Sequence, residues 1–147
     1  MPVRDADASA GAGGEAGASG ASRRSGVRIV LVEPQYGGNI GQCARAMINT
    51  GLARLVLVNP REHLTEEAFY MARDGRPIVE TAQVCETLEE ALQDVTLAIG
   101  TTRRVGKYRR PAITPREMCA RLGPLLPGNE VAIVFGREDK GLFSEHL

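Results

Sequence analysis

The segment Val27-Arg28-Ile29-Val30-Leu31-Val32-Glu33-Pro34-Gln35-Tyr36-Gly37-Gly38-Asn39-Ile40-Gly41-Gln42-Cys43-Ala44-Arg45 decides the fold. Val27 to Glu33 is an apolar, β-branched run of the kind that forms a strand buried on both faces. From Asn39 to Thr50 the residues Ile40, Cys43, Ala44, Met47 and Ile48 recur at helical spacing. Gly51 stands just past the end, where a left-handed residue closes a helix. A buried strand that feeds a helix through a glycine-rich loop opens an α/β unit.

Outward from this segment the alternation continues. Leu55 to Val58 reads as a second strand, stopped by Asn59-Pro60. Thr65-Glu66-Glu67 opens a helix with an N-cap and two first-turn acids, and Gly75 is expected to close it. Ile78 to Cys85 is expected to hold a short strand. Thr87-Leu88-Glu89-Glu90 and Thr114-Pro115-Arg116-Glu117 are both capping boxes, the second with proline in the first helical position. Leu97 to Gly100 and Val131 to Phe135 read as strands. About five strand–helix alternations predict an α/β fold, a parallel sheet with helices on both faces.

Composition narrows the class. The 147 residues fit one domain, with 43% apolar residues, 4% aromatic residues and no tryptophan. Eighteen basic residues balance eighteen acidic ones, so attraction to nucleic acid must come from a local patch. Apolar runs such as Ile29 to Val32 are far shorter than the roughly 20 residues of a helical membrane span. Cys43, Cys85 and Cys119 are more than thirty residues apart, and neither they nor His63 and His146 have metal-ligand spacing. Reduced thiols in a cytoplasmic protein without metal or membrane attachment are the expectation. Cys43 reads as a small buried apolar residue rather than a nucleophile. Residues 1 to 26, with seven Ala, six Gly and four Ser, are expected to be a disordered tail. The folded domain then runs from 27 to 147.

Ligands of such sheets bind beyond the carboxyl ends of the strands, which singles out three loops. The first runs from Pro34 to Arg45. Its glycines permit close backbone approach, and its helix N-terminus offers N–H groups to an anion. The spacing is not that of a dinucleotide fingerprint, and no Gly-Lys-Ser/Thr follows. A tight turn with a helix cap accounts for the glycines equally well. Arg45, about two turns into the helix, is either a surface arginine or a group that reaches a phosphate.

The second loop, Thr101-Thr102-Arg103-Arg104-Val105-Gly106-Lys107-Tyr108-Arg109-Arg110, has five basic residues in ten and no acid. That density attracts phosphates, and Tyr108 can stack on a base. A solvated charged loop is the plainer reading. The third loop, Phe135-Gly136-Arg137-Glu138-Asp139-Lys140-Gly141-Leu142, puts charges directly after a buried strand. It offers backbone groups to a flat heterocycle, or is a charged turn with an Arg–Glu pair.

Together these segments resemble the SpoU/TrmH branch of the SPOUT RNA methyltransferases, most closely its TrmJ-like group. Ile29-Val30-Leu31-Val32-Glu33-Pro34, Gly38-Asn39-Ile40-Gly41 and Ala44-Arg45-Ala46-Met47 are similar to the family's first motif. Val134-Phe135-Gly136-Arg137-Glu138 with Gly141-Leu142 is similar to its second. The resemblance implies a trefoil-knotted fold, S-adenosyl-L-methionine as methyl donor, and 2′-O-ribose methylation of RNA, typically in the tRNA anticodon loop. It implies a homodimer that acts on tRNA, with catalysis carried by Arg45 and the motif's Asn39. Thr101, Thr102, Arg103, Gly136, Arg137, Glu138 and Gly141 map to donor-binding positions, while Arg104, Lys107, Tyr108, Arg109 and Arg110 are expected to bind RNA on the strength of their charge and the interleaved ring. The family's Ser/Asn-rich third motif does not appear before Leu147, so a partial domain lacking the knot-completing segment is expected. An RNA-binding or dimerisation module without catalysis, and an α/β enzyme for another nucleotide, are the alternative readings.

Overall fold

A computed structural model of the chain describes residues 26–102 and 112–142. The alanine- and glycine-rich tail up to residue 25, the basic residues from Arg103 to Arg110 and the segment from 143 to 147 lie outside the described residues. Five strands, β1 (Val27–Val32), β2 (Arg54–Val58), β3 (Gln83–Cys85), β4 (Leu97–Gly100) and β5 (Val131–Phe135), form one sheet. Their order is β3-β2-β1-β5-β4, and every pairing is parallel. The chain winds outward from β1 to β3 at one edge, then crosses to β4 at the other. Adjacent β1 and β5 therefore send their following loops out at the point where the winding reverses, the crevice in which open α/β sheets bind ligands.

Helices α1 (Gly37–Thr50), α2 (Glu66–Ala72), α3 (Arg76–Glu80), α4 (Leu88–Ala91) and α5 (Pro115–Leu122) connect the strands. On one face Ile29, Leu55 and Leu57 pack against Ile40, Ala44 and Met47 of α1, Ala68 and Ala72 of α2, and Ile78 and Val79 of α3. Val27 and Val131 extend that face beneath Leu122 of α5. On the other face Val30, Val32, Val56, Val58, Ala132 and Val134 pack with Leu88 and Ala91 of α4 and with Leu142. Among the described residues that second face is covered by one short helix. Among the described residues no helix is long and apolar enough to cross a membrane.

Local signals account for most boundaries. Gly51 adopts φ 72° and caps α1 through bonds to the carbonyls of Ile48 and Met47. Thr65 accepts from the Ala68 N–H to start α2, and Thr114 with Glu117 forms a complete capping box on α5. At α4 the box is half formed: Thr87 accepts from the Glu90 N–H, while the Glu90 carboxylate takes the N–H of Glu86.

One expectation is corrected. Gly75 does not end α2, which stops at Ala72; it ends a 3-10 turn, Arg73–Gly75. The short strand expected within Ile78 to Cys85 is Gln83–Cys85, at the end of that stretch; Pro77 in the first turn of α3 commits Ile78 and Val79 to a helix.

One charge sits inside the sheet. Arg28 on β1 is 4% exposed and donates to the Ala91 carbonyl at the end of α4 (3.0 Å). Its guanidinium lies 3.6 Å from the carboxylate of Glu130, which also pairs with Arg54.

Candidate active site

The loops after β4 and β5 enclose a cavity of about 290 Å³ lined by Thr101 and Thr102 on one side and residues 135–142 on the other. Thr101 is fixed at the end of β4, where its N–H and its hydroxyl both donate to the Val134 carbonyl, at 2.9 and 3.1 Å. Past β5 the chain turns back on itself. The Gly141 N–H donates to the Arg137 carbonyl (2.8 Å), and Gly141 itself takes φ 71°. This fold-back lays the backbone of Gly141 and Leu142 directly on Gly136. A Cβ at Gly136 would stand 2.1 Å from the Gly141 carbonyl carbon and the Leu142 nitrogen. Only glycine fits there.

The β5 loop is tied to the β1 loop through side chains. Glu138 accepts from the Asn39 amide (3.1 Å) and from the Gln35 N–H (3.1 and 3.2 Å). Arg137 holds Asp139 through two bonds of 3.0 and 3.1 Å and reaches Glu33 at 3.5 Å. Glu33 is one of three non-glycine residues with positive φ among the described residues, a conformation that turns the chain sharply as β1 ends. The charged turn is therefore built on Arg137–Asp139 and Arg137–Glu33 pairs, with Glu138 reserved for the β1 loop. The Asp139 bonds raise the affinity of Arg137 for its proton and lower that of Asp139.

Burial alone would raise the Glu138 carboxyl. The bonds from Asn39 and from the backbone N–H groups of Glu138, Gln35 and Tyr36 outweigh burial and hold it below the usual carboxylate range. A depressed folded-state pKa stabilises the fold at any pH above the unfolded value of about 4.3, and that stabilisation is lost as pH falls through the folded value. Glu138→Gln should thus melt below wild type at pH 7, and the gap should close as the buffer is taken below about pH 4. A gap that persists undiminished at pH 3 would show that the ionised carboxylate does not join the loops. Cys43 is half-buried, and burial pushes its thiol up to about 11, which disfavours the thiolate at neutral pH.

Of the residues singled out from the sequence, the structure gathers Thr101, Thr102, Gly136, Arg137, Glu138 and Gly141 around the one cavity. It ties Asn39 to that cavity's outer wall through Glu138. It does not bring Arg45 there. Arg45 is exposed and lines a separate hollow with Ile48, Asn49, Arg73 and Asp74. Asn39 and Arg45 are six positions apart, about 9 Å along the axis and about a third of a turn apart around it. Arg103, Arg104, Lys107, Tyr108, Arg109 and Arg110 are outside the described residues. Sequence reasoning placed Phe135 and Leu142 in the third loop and Glu33 and Gln35 in the first, but gave them no role as apolar walls or braces. The alternation of β5 carried a signal for Phe135; a pairing across about a hundred residues carries none for the braces.

The SpoU rRNA Methylase family model matches residues 26–147. A tRNA (cytidine/uridine/adenosine-2'-O-)-methyltransferase TrmJ of Pseudomonas aeruginosa is 44% identical over 123 residues, covering 82% of this chain and 48% of the relative. The tRNA (cytidine-2'-O-)-methyltransferase TrmJ of Methanocaldococcus jannaschii is 36% identical over 124 residues, covering 82% and 53%. The crystal structure of TrmJ from Z. mobilis ZM4 superposes with a TM-score of 0.73 at 35% identity, covering 80% of this chain and 52% of that one. The chain spans about half the length of the curated relatives it matches. With its two motifs meeting at adjacent strand ends and its sheet superposing on that of a TrmJ, the chain belongs to the SpoU rRNA Methylase family.

Proposed function

We propose that this chain binds S-adenosyl-L-methionine in the cavity beyond β4 and β5 and takes part in 2′-O-methylation of tRNA ribose as a cytoplasmic homodimer. The carrying observation is the convergence of Thr101 and Gly136, from different motifs, on one cavity joined to the first motif through Glu138 and Asn39. The cavity's make-up suits the donor. Phe135 and Leu142 give apolar surface for a flat ring, and Thr101, Thr102 and the 136–141 backbone give polar groups for a ribose and an amino acid. The donor, when bound, supplies an electrophilic methyl group on a sulfonium.

The chain's own residues must then hold the 2′-oxygen in line and stabilise the charge left when its proton departs. Deprotonating an arginine at neutral pH costs roughly 7 kcal/mol, which disfavours a general-base role. Arg45 instead clamps a phosphate next to the reacting ribose, and its placement away from its own chain's cavity favours a site completed by a second copy. The residues Arg103, Arg104, Lys107, Tyr108, Arg109 and Arg110 supply RNA affinity. Two measurements test the reading: calorimetry with S-adenosyl-L-methionine, and transfer of labelled methyl to tRNA followed by nucleoside analysis. Binding with 2′-O-methylated product is expected. tRNA binding without donor binding would reassign the chain as an RNA-binding module.

A further inference from the structure

The second hollow, of about 450 Å³, lies between α1 and the turn after α2. Arg45, Ile48 and Asn49 form its α1 side, Arg73 and Asp74 its other side. Among the described residues Arg45, Asn49 and Asp74 have no hydrogen-bond or ion-pair partner, whereas neighbouring Arg76 is spent on Glu80 at 2.7 Å. Arg73 lies 4.5 Å from the ring centre of Tyr70, which is 62% exposed. That contact aims the guanidinium without neutralising it.

The backbone carrying Arg73 is unusual. It takes φ 53° and ψ −123°, a conformation natural to glycine and strained for arginine. The turn is also pressed onto α1. A Cβ at Gly75 would stand 2.6 Å from the Ala44 carbonyl oxygen and 3.0 Å from the Arg45 nitrogen. Arg73 and Arg45 are thus carried by two backbones in direct contact. An arginine placed at a glycine-type position, where it harms stability and makes no ion pair within the described fold, points to a use outside the fold.

We propose that Arg73 is a second RNA-phosphate ligand, acting beside Arg45 and Asn49 in this hollow, an inference that rests on the RNA-modifying reading above. Two guanidinium groups and one carboxylate leave the hollow with a single formal positive charge, the complement of one phosphodiester. Arg73 supplies the fork for its oxygens, Asn49 an amide donor, and Asp74 sets the charge at one unit. The exposed ring of Tyr70 beside it gives the adjoining nucleotide a stacking surface.

The test uses the full chain and a fluorescein-labelled anticodon stem-loop RNA, followed by anisotropy over a range of salt. Arg73→Gly relieves the backbone while removing the charge, so it should melt at or above the wild-type temperature. Its RNA affinity should nevertheless fall about tenfold. Its salt slope should drop by about 0.7, the value of one phosphate contact on a single strand. A purely structural role for Arg73 would move the melting temperature and leave that slope alone. Unchanged affinity and slope in Arg73→Gly, with wild type binding the RNA, would overturn this assignment and leave the methyltransferase reading standing. Absence of RNA binding by wild type would overturn both.

Discussion

Replacing Gly136 with alanine is expected to lower the melting temperature by roughly 10 °C and to weaken donor binding by more than about a hundredfold. The new methyl group would meet the Gly141 carbonyl carbon, the Gly141 oxygen and the Leu142 nitrogen at 2.1 to 2.4 Å. All three are backbone atoms, so no rotamer change relieves the clash. Neither side can retreat. Phe135, immediately before, is in register with Leu31 of the central strand, and Leu142 is buried among Val32, Val58 and Val134. Overpacking that must displace backbone sits at the upper end of the usual range, about 3 kcal/mol. Lost from the bound state alone, that is more than a hundredfold in affinity. Thermal melts and calorimetry with S-adenosyl-L-methionine check it. A variant that melts within about 2 °C of wild type and still binds the donor would refute the packing of residues 136–142.

The second large effect concerns Arg45. In tRNA methyl transfer, Arg45→Ala should reduce turnover by about 10²- to 10³-fold, the usual result of removing a group that stabilises developing charge. Arg45→Lys is the sharper probe. It keeps the charge but loses the planar fork, so it should recover no more than about a tenth of wild-type turnover if both oxygens of one phosphate are held. Near-normal turnover would mean that a point charge suffices. Because Arg45 is exposed and has no partner among the described residues, neither substitution should move the melting temperature appreciably.

How far the sequence reveals this arrangement depends on the range of the interactions. β1, β2, β4 and β5 are apolar runs bounded by Pro, Gly or charge, and α1, α2 and α5 carry caps within a few residues of their ends. Such local signals survive without tertiary context. Within Ile78 to Cys85 the sequence does not place the short strand, because the β-branched pair Ile78-Val79 suits a strand as well as Gln83–Cys85 does; Pro77 and burial against α1 and α2 decide for a helix at the pair. The cavity residues are legible as types at strand ends. Their fastening is not: Glu138 meets Asn39 only because β5 lies beside β1, a pairing no periodicity encodes. Arg73 is equally hidden, since its interest lies in a backbone angle.

The placement of β1 between β2 and β5 also has a consequence for birth on the ribosome. Once β2 has emerged, about 70 further residues must be translated before β5 follows, roughly 4 to 15 s at common elongation speeds. Throughout that wait β1 presents a bare hydrogen-bonding edge, the form of polypeptide most prone to join its neighbours on a polysome. Arg28 stands on that edge, and its charge is enclosed only when Glu130 and β5 arrive. A nascent chain keeps this rim charged until β5 seals it, and the ligand crevice cannot form before then.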